Sequence, residues 1–171
     1  MPGISMSLDL PDSGATETLG QALARTLPGV ADHGAVVYLK GELGSGKTTC
    51  VRSLLRALGV AGLVRSPTYT LVESYTAGPW TCVHVDLYRL RSLREVDELG
   101  LRDTLGPNCL LLVEWPERAA GSLPGADIDL TLMYAGDGRQ SHLNAASPFG
   151  TKWLEDLGRD SSLRSYVSNL T

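Results

Sequence analysis

Lysine is scarce in this chain of 171 residues, and that scarcity limits what its surface can bind. The lysines are Lys40, Lys47 and Lys152, and 15 Lys+Arg stand against 19 Asp+Glu, a formal net charge of −4. Tight autonomous binding of nucleic acid needs a broad basic face. We therefore expect no DNA partner, although a local arginine patch stays open.

Cysteines and long apolar runs are also sparse. Cys50, Cys82 and Cys109 are far apart, lie in apolar contexts and form neither a CxxC pair nor a Cys/His metal spacing. Such thiols are typical of the reduced core of a cytosolic protein. No apolar run approaches the about 20 residues of a membrane span, and the N-terminus lacks the pattern of a signal peptide. The sequence predicts a cytoplasmic protein without a membrane partner.

The segment Gly41–Thr48 fits the phosphate-loop pattern G-x-x-x-x-G-K-[ST] in full. A predicted strand, Ala35–Leu39, precedes it, and a predicted helix, Thr48–Leu58, follows it. Glycines let the backbone N–H groups turn inward around phosphate oxygens. Lys47 is then predicted to reach the β- and γ-phosphates and the Thr48 hydroxyl to hold Mg²⁺. The alternative, a glycine-rich turn that merely ends in Lys-Thr, does not account for the strand and helix around it.

Two acids follow predicted strands. Glu114 ends the apolar run Cys109–Val113, a pattern typical of a buried parallel strand with a Walker-B carboxylate that completes the Mg²⁺ shell. Asp86 follows the strand Trp80–Val85 and is predicted to orient the attacking water or a Mg²⁺-bound water, or else to cap a helix. His84 lies on the same strand face as Asp86. We interpret it as a packed strand histidine, with contact to the site as the alternative.

Three further side chains are candidates near a nucleotide. Ser66 and Thr68 precede the predicted strand Thr70–Tyr75, where their hydroxyls would contact a γ-phosphate or simply form a strand-entry turn around Pro67. Trp115 would pack on the base, buttress the site or fill the core.

The order of elements predicts an α/β fold, a P-loop NTPase-like three-layer sandwich with a mainly parallel central sheet and antiparallel marginal strands. Residues 1–146 would form a single P-loop ATPase domain, and residues 147–171 a C-terminal tail with a short helix around Trp153. We also predict an edge strand at Ser5–Leu10, a helix at Ser92–Leu105 and a marginal hairpin from Asp127–Tyr134 and Arg139–Ala146.

Four blocks, taken in order, carry a family resemblance. They are Gly41–Thr49, Ser66–Glu73, His84–Leu90 and Leu112–Glu117. Their sequences, GELGSGKTT, SPTYTLVE, HVDLYRL and LVEWPE, resemble the TsaE family, also called YjeE. The match in order and spacing runs from about Pro11 to Ala146. This is a family of bacterial ATPases needed to form N6-threonylcarbamoyladenosine at position 37 of tRNA.

The resemblance implies a small α/β protein that takes ATP as substrate and Mg²⁺ as cofactor and hydrolyses ATP slowly by itself. It implies TsaB and TsaD as stimulating partners, with tRNA reached only indirectly through that complex. Carried over by position, Asp86, Lys47 and Thr68 would be catalytic, and Thr48 and Glu114 would hold the metal. ATP would be bound by Gly44, Ser45, Gly46, Lys47, Thr48, Thr49 and Trp115, with Ser13 or Thr16 near the adenine.

Two other functions stay open on the same fold. A small-molecule kinase usually needs an arginine-bearing lid over its second substrate, and the stretch after Arg89 predicts a helix instead. A non-enzymatic nucleotide switch would bind ATP without needing hydrolysis. No side chain is a clear arginine finger, and Arg89 is only a candidate.

Overall fold

The computed structural model describes residues 3–29, 32–67 and 69–171. Within these residues the chain has an α/β fold, built from one mixed 8-stranded β-sheet and its helices. The strands and helices are β1 Ser5–Leu10, α1 Ser13–Thr26, β2 Ala35–Lys40, α2 Lys47–Leu58, β3 Val72–Ala77, β4 Trp80–Asp86, α3 Leu93–Leu99, α4 Leu101–Thr104, β5 Cys109–Glu114, β6 Ile128–Ala135, β7 Gly138–Ala145, α5 Pro148–Gly158 and β8 Val167–Leu170. Two 3-10 helices, Pro116–Ala119 and Ser161–Leu163, complete the described elements.

The sheet has the strand order β3-β4-β5-β2-β6-β7-β1-β8. Its centre is parallel, because β4, β5, β2 and β6 run in one direction. The other neighbouring pairs are antiparallel. The predicted antiparallel margins are confirmed, but the sheet is mixed rather than mainly parallel. The β3–β4 and β6–β7 hairpins lie on the two sides of the parallel centre, and β1 and β8 extend the sheet beyond β7.

Two local predictions need correction. Strand β1 is not an edge strand, since it lies between β7 and β8. The predicted helix Ser92–Leu105 is interrupted at Gly100, which adopts a left-handed conformation with φ 60° and ends α3. At the start of α3 the Glu95 carboxylate accepts hydrogen bonds from the backbone N–H groups of Arg91 and Ser92, as a capping box requires.

Helices cover both faces of the sheet. One apolar cluster joins α1, α2 and α5 to alternate strand residues such as Val37 and Leu39. The second cluster joins α3, α4 and the 3-10 helix Pro116–Ala119 to the opposite strand face, which includes Val36. The chain therefore has three layers, and the central parallel strands end at one common edge beside the start of α2.

The last part of the chain packs on this same sheet. Trp153, Leu154 and Leu157 of α5 are fully buried, and the Trp153 indole N–H donates to the Leu23 carbonyl at 3.1 Å. Strand β8 pairs with β1. The predicted tail helix is α5, and its apolar face belongs to the main core. None of the helices in the described part of the chain combines the length and hydropathy required to cross a bilayer.

Candidate active site

The loop between β2 and α2 is shaped by glycines that no other residue could replace without strain. Gly41, Gly44 and Gly46 all have positive φ, at 141°, 77° and 105°. A Cβ atom on Gly41 would lie only 2.3 Å from the Leu132 carbonyl oxygen. Helix α2 begins directly after Gly46, so its free N–H groups and dipole face the loop. This geometry suits an anion at the end of the loop.

Lys47 lies across the mouth of this loop. Its side chain is 5% exposed, and its ammonium donates to the Gly41 and Glu42 carbonyls at 2.6 and 2.9 Å. The same ammonium is 4.4 Å from the centre of the Trp115 ring. Burial lowers the pKa of Lys47, and the nearby carboxylate of Glu114 opposes that shift. The loop and Trp115 thus fix a cation where the predicted phosphates would lie.

The two predicted acids stand opposite each other on neighbouring parallel strands. Asp86 ends β4 and is the register partner of Glu114 at the end of β5. Glu114 Oε1 accepts a hydrogen bond from the Thr48 hydroxyl at 2.8 Å. Asp86 accepts from the Tyr88 backbone N–H at 3.0 Å, and no described helix begins there, so it is not a helix cap. The predicted loop serine, Ser66, donates to Asp86 at 3.4 Å.

Asp86 and Glu114 have opposite pKa shifts. Burial raises the pKa of Asp86, and the charge of Glu114 adds to the rise while the Tyr88 N–H opposes it. Burial also works against ionisation of Glu114, but hydrogen bonds from His84 and Thr48 outweigh it, so the pKa of Glu114 lies below its usual range. Glu114 therefore carries the negative charge, while Asp86 takes up a proton more readily than an ordinary aspartate.

His84 lies beneath this pair and is fully buried. Its Nε2 is 3.1 Å from Glu114 Oε2. Both interpretations of the sequence therefore apply, because His84 is a packed strand histidine and also contacts the site. The only signal for that contact was its position two residues before Asp86.

Trp115 forms one wall of the site. Its backbone adopts a left-handed conformation, φ 59° and ψ 46°, which is unusual for a bulky residue. Its ring packs against Tyr88, with ring centres 5.0 Å apart, and against the apolar cluster of the second face. Trp115 is therefore both a core residue and a wall of the cavity.

Most of the predicted residues line one cavity of about 350 Å³. Its lining is Leu43, Gly44, Gly46, Lys47, Thr48, Thr49, Ser66, Asp86, Tyr88, Arg89, Glu114 and Trp115. Ser13, Thr16 and Ser45 line a neighbouring cavity that shares Gly44, Gly46 and Thr49 with the first. Thr68, the remaining predicted catalytic residue, lies outside the described residues.

The β6–β7 hairpin holds the loop from outside, and sequence reasoning missed this. The Tyr134 hydroxyl donates to the Leu43 carbonyl at 2.7 Å, and the Arg139 guanidinium donates to the Gly44 carbonyl at 3.2 Å. Arg139 also stacks on the Tyr134 ring at 4.1 Å. No motif signals this contact, because it joins residues about ninety positions apart in the chain.

The oxygen atoms at the centre of the site fit a hard cation. Thr48 and Glu114 offer a hydroxyl and an ionised carboxylate within hydrogen-bond distance of each other. Across the described ranges, no group of three or more His, Cys, Asp or Glu side chains is arranged to hold a metal. A site with so few protein ligands suits Mg²⁺, which keeps several waters and takes further oxygens from phosphates.

Comparison with known proteins identifies the family. The family model for "Threonylcarbamoyl adenosine biosynthesis protein TsaE" matches residues 10–141. The Haemophilus influenzae "tRNA threonylcarbamoyladenosine biosynthesis protein TsaE" is 39% identical over 147 residues, 85% of this chain and 93% of that protein. The Synechocystis protein of the same name is 44% identical over 121 residues, 67% and 72% of the two chains.

A solved structure has a similar fold. The crystal structure of Bacillus subtilis YdiB matches with a TM-score of 0.72 and 26% identity, covering 91% of this chain and 95% of that one. The family model spans most of the chain, including the loop, both acids and strand β6 of the hairpin. The chain belongs to the TsaE family.

Proposed function

We propose that this protein is a Mg²⁺-dependent ATPase of P-loop type that acts on the TsaB–TsaD complex during formation of N6-threonylcarbamoyladenosine in tRNA. One observation carries the proposal. The Thr48 hydroxyl at the end of the glycine loop is hydrogen-bonded to Glu114, whose register partner is Asp86. A phosphate-binding loop, a metal-binding pair and a second carboxylate are thus adjacent in one cavity.

The residues of the cavity have separate roles in the proposed phosphoryl transfer to water. The N–H groups of the loop and the start of α2 bind phosphate oxygens, and the Lys47 ammonium neutralises their charge. Thr48 and Glu114 would hold Mg²⁺, which would supply positive charge to offset the charge of the phosphates. Asp86 would orient the attacking water, for which its raised pKa suits proton exchange.

The partner part of the proposal comes from the family resemblance and from an exposed arginine. Arg89 lines the cavity, and its guanidinium lies 5.1 Å from the centre of the Tyr69 ring, which belongs to a residue that is 86% exposed. A partner that covers Tyr69 would order Arg89 at the cavity. Stimulation of hydrolysis by TsaB–TsaD would then follow from completion of the site.

A small-molecule kinase is less well supported by the structure. The segment directly after Arg89 carries Arg91, Arg94 and Arg102. Two of these are engaged elsewhere, because Arg94 pairs with Glu98 and Arg102 donates to the Leu123 carbonyl. Neither lies in the cavity lining.

Calorimetry with ATP and Mg²⁺ tests the loop assignment. We expect Lys47→Ala to weaken ATP binding by about 10- to 100-fold, since charge-assisted hydrogen bonds contribute about 1.5–3 kcal/mol. Lys40→Ala is the matched control, because Lys40 lies just before the loop but does not line the cavity and forms an ion pair with Asp129. Equal affinity for the Lys47→Ala variant and wild type would refute the proposed phosphate site.

A further inference from the structure

A buried histidine–glutamate pair lies directly below the proposed metal site. The His84 and Glu114 side chains are 0% and 1% exposed, and the distance between His84 Nε2 and Glu114 Oε2 is 3.1 Å. His84 lies on the face of β4 that also carries Cys82 and Asp86, the face turned toward α2. The proposed function assigns no task to this imidazole.

The direction of the hydrogen bond follows from its two partners. His84 Nε2 and Glu114 Oε2 are within hydrogen-bond distance, and a carboxylate oxygen accepts, so the proton of this bond lies on His84 Nε2. His84 Nδ1 is buried and finds no hydrogen-bond partner in the described part of the chain. A proton on Nε2 leaves only a lone pair unmatched at Nδ1, whereas a proton on Nδ1 would bury an unpaired donor. The environment therefore selects one tautomer, the one that donates to Glu114.

Each oxygen of Glu114 consequently has its own donor. Thr48 donates to Oε1 at 2.8 Å, and His84 donates to Oε2 at 3.1 Å. The two donors come from different elements, Thr48 from α2 and His84 from β4. A carboxylate held at both oxygens cannot rotate freely, so Oε1 stays beside Thr48. Without His84, Oε2 would be a buried charged oxygen that lacks this donor and would favour another rotamer.

We propose that His84 is a positioning residue for the metal site: its Nε2–H holds Glu114 Oε2 so that Oε1 and the Thr48 hydroxyl keep the geometry that binds Mg²⁺. The inference rests on the proposed function, because it concerns the Mg²⁺-dependent part of nucleotide binding. It predicts that His84 sets the gain in nucleotide affinity that Mg²⁺ brings, and leaves metal-free binding by the loop unchanged.

The test measures that gain directly. The affinity for a non-hydrolysable ATP analogue is determined by calorimetry in EDTA and in Mg²⁺, and the ratio of the two dissociation constants is the Mg²⁺ gain. We expect His84→Leu to reduce the gain about tenfold or more, the usual effect of losing a partner behind a metal ligand. His84→Gln, whose amide N–H can replace Nε2–H, should retain most of it.

A second histidine supplies the matched control. His142 also lies on a strand and is hydrogen-bonded, to Ser7, but β7 does not line the metal-binding part of the cavity. His142→Leu should leave the Mg²⁺ gain unchanged.

If His84→Leu does not fold, His84→Asn replaces it, because the shorter amide cannot reach Glu114 from the same Cα position.

The results distinguish a failure of the inference about His84 from a failure of the proposed metal site. Loss of the gain in His84→Leu or His84→Asn, with retention in His84→Gln, supports the inference. A wild-type gain in His84→Leu or His84→Asn, neither of which can donate to Glu114, overturns the inference. An equal loss in His84→Gln or an equal weakening of metal-free binding also overturns it. If wild type itself binds the analogue without any Mg²⁺ gain, both this inference and the proposed metal site fall.

Discussion

At the residue scale, two carboxylates of the same chemistry have opposite pKa shifts because their surroundings differ. Glu114 is buried but receives hydrogen bonds from His84 and Thr48, which keep it ionised. Asp86 is partly buried and accepts from one backbone N–H and the Ser66 hydroxyl, and its pKa is raised. A charged oxygen suits a cation, whereas a carboxylate that exchanges protons suits an activated water. The roles proposed for the two acids follow from this difference.

Replacing Asp86 by Ala separates these roles. We expect ATP binding to stay near the wild-type level, because the loop and Lys47 supply the phosphate contacts, while hydrolysis falls by about 10²-fold or more. Phosphate release and calorimetry on the same preparation measure the two effects. The exposed Asp97 on α3 gives the control variant Asp97→Ala, which should hydrolyse ATP normally. An unchanged hydrolysis rate in Asp86→Ala would remove this residue from the mechanism.

The three cysteines give a second prediction at this scale. All are buried, and burial raises the pKa of Cys50 and of Cys82 to about 12 and raises the pKa of Cys109 as well. A raised pKa lowers the thiolate fraction, for Cys50 and Cys82 about a thousandfold at pH 8 relative to a free thiol. We expect negligible reaction of the native protein with Ellman's reagent and three thiols after unfolding in guanidinium. Rapid labelling of the folded protein would contradict this burial.

At the scale of elements, local patterns predicted the elements that are specified by their own residues. The phosphate loop, its strand β2 and helix α2, and the buried strand β5 all follow from short-range pattern. Short-range pattern does not predict the pairing of β1 with β8 or the hydrogen bonds from the β6–β7 hairpin to the phosphate loop. Both depend on contacts between distant segments. The break at Gly100 shows the opposite failure, in which one glycine ended a helix that apolar spacing alone would continue.

Helix α5 should contribute strongly to stability despite its position near the end of the chain. Trp153 is fully buried and hydrogen-bonded to α1, so we expect Trp153→Ala to lower the free energy of unfolding by about 3–5 kcal/mol. Urea denaturation followed by circular dichroism measures this. The adjacent Lys152 is exposed and pairs with Asp156 on the same helix, so Lys152→Ala should change stability by less than about 1 kcal/mol. Similar stabilities for the two variants would mean that α5 packs loosely.

For the whole molecule, four distant segments meet at one edge of the sheet to form the site. They are the β2–α2 loop, the ends of β4 and β5, and the β6–β7 hairpin. The chemistry-bearing side chains at that edge could be predicted from motifs, because strand ends in a parallel sheet share an edge. The supporting residues Tyr134 and Arg139 could not, since nothing local indicates what they contact across the fold. His84 was indicated only by its position two residues before Asp86.

We propose that the whole molecule works as part of an assembly: it hydrolyses ATP, and its partners complete the site. Phosphate release from ATP with Mg²⁺ tests this most directly, measured for the protein alone and after addition of TsaB and TsaD from the same organism. We expect slow release alone, a clear rise with the pair, and no rise for Asp86→Ala. Release that does not respond to the pair, with ATP binding intact, would contradict the account and favour a kinase or a nucleotide switch.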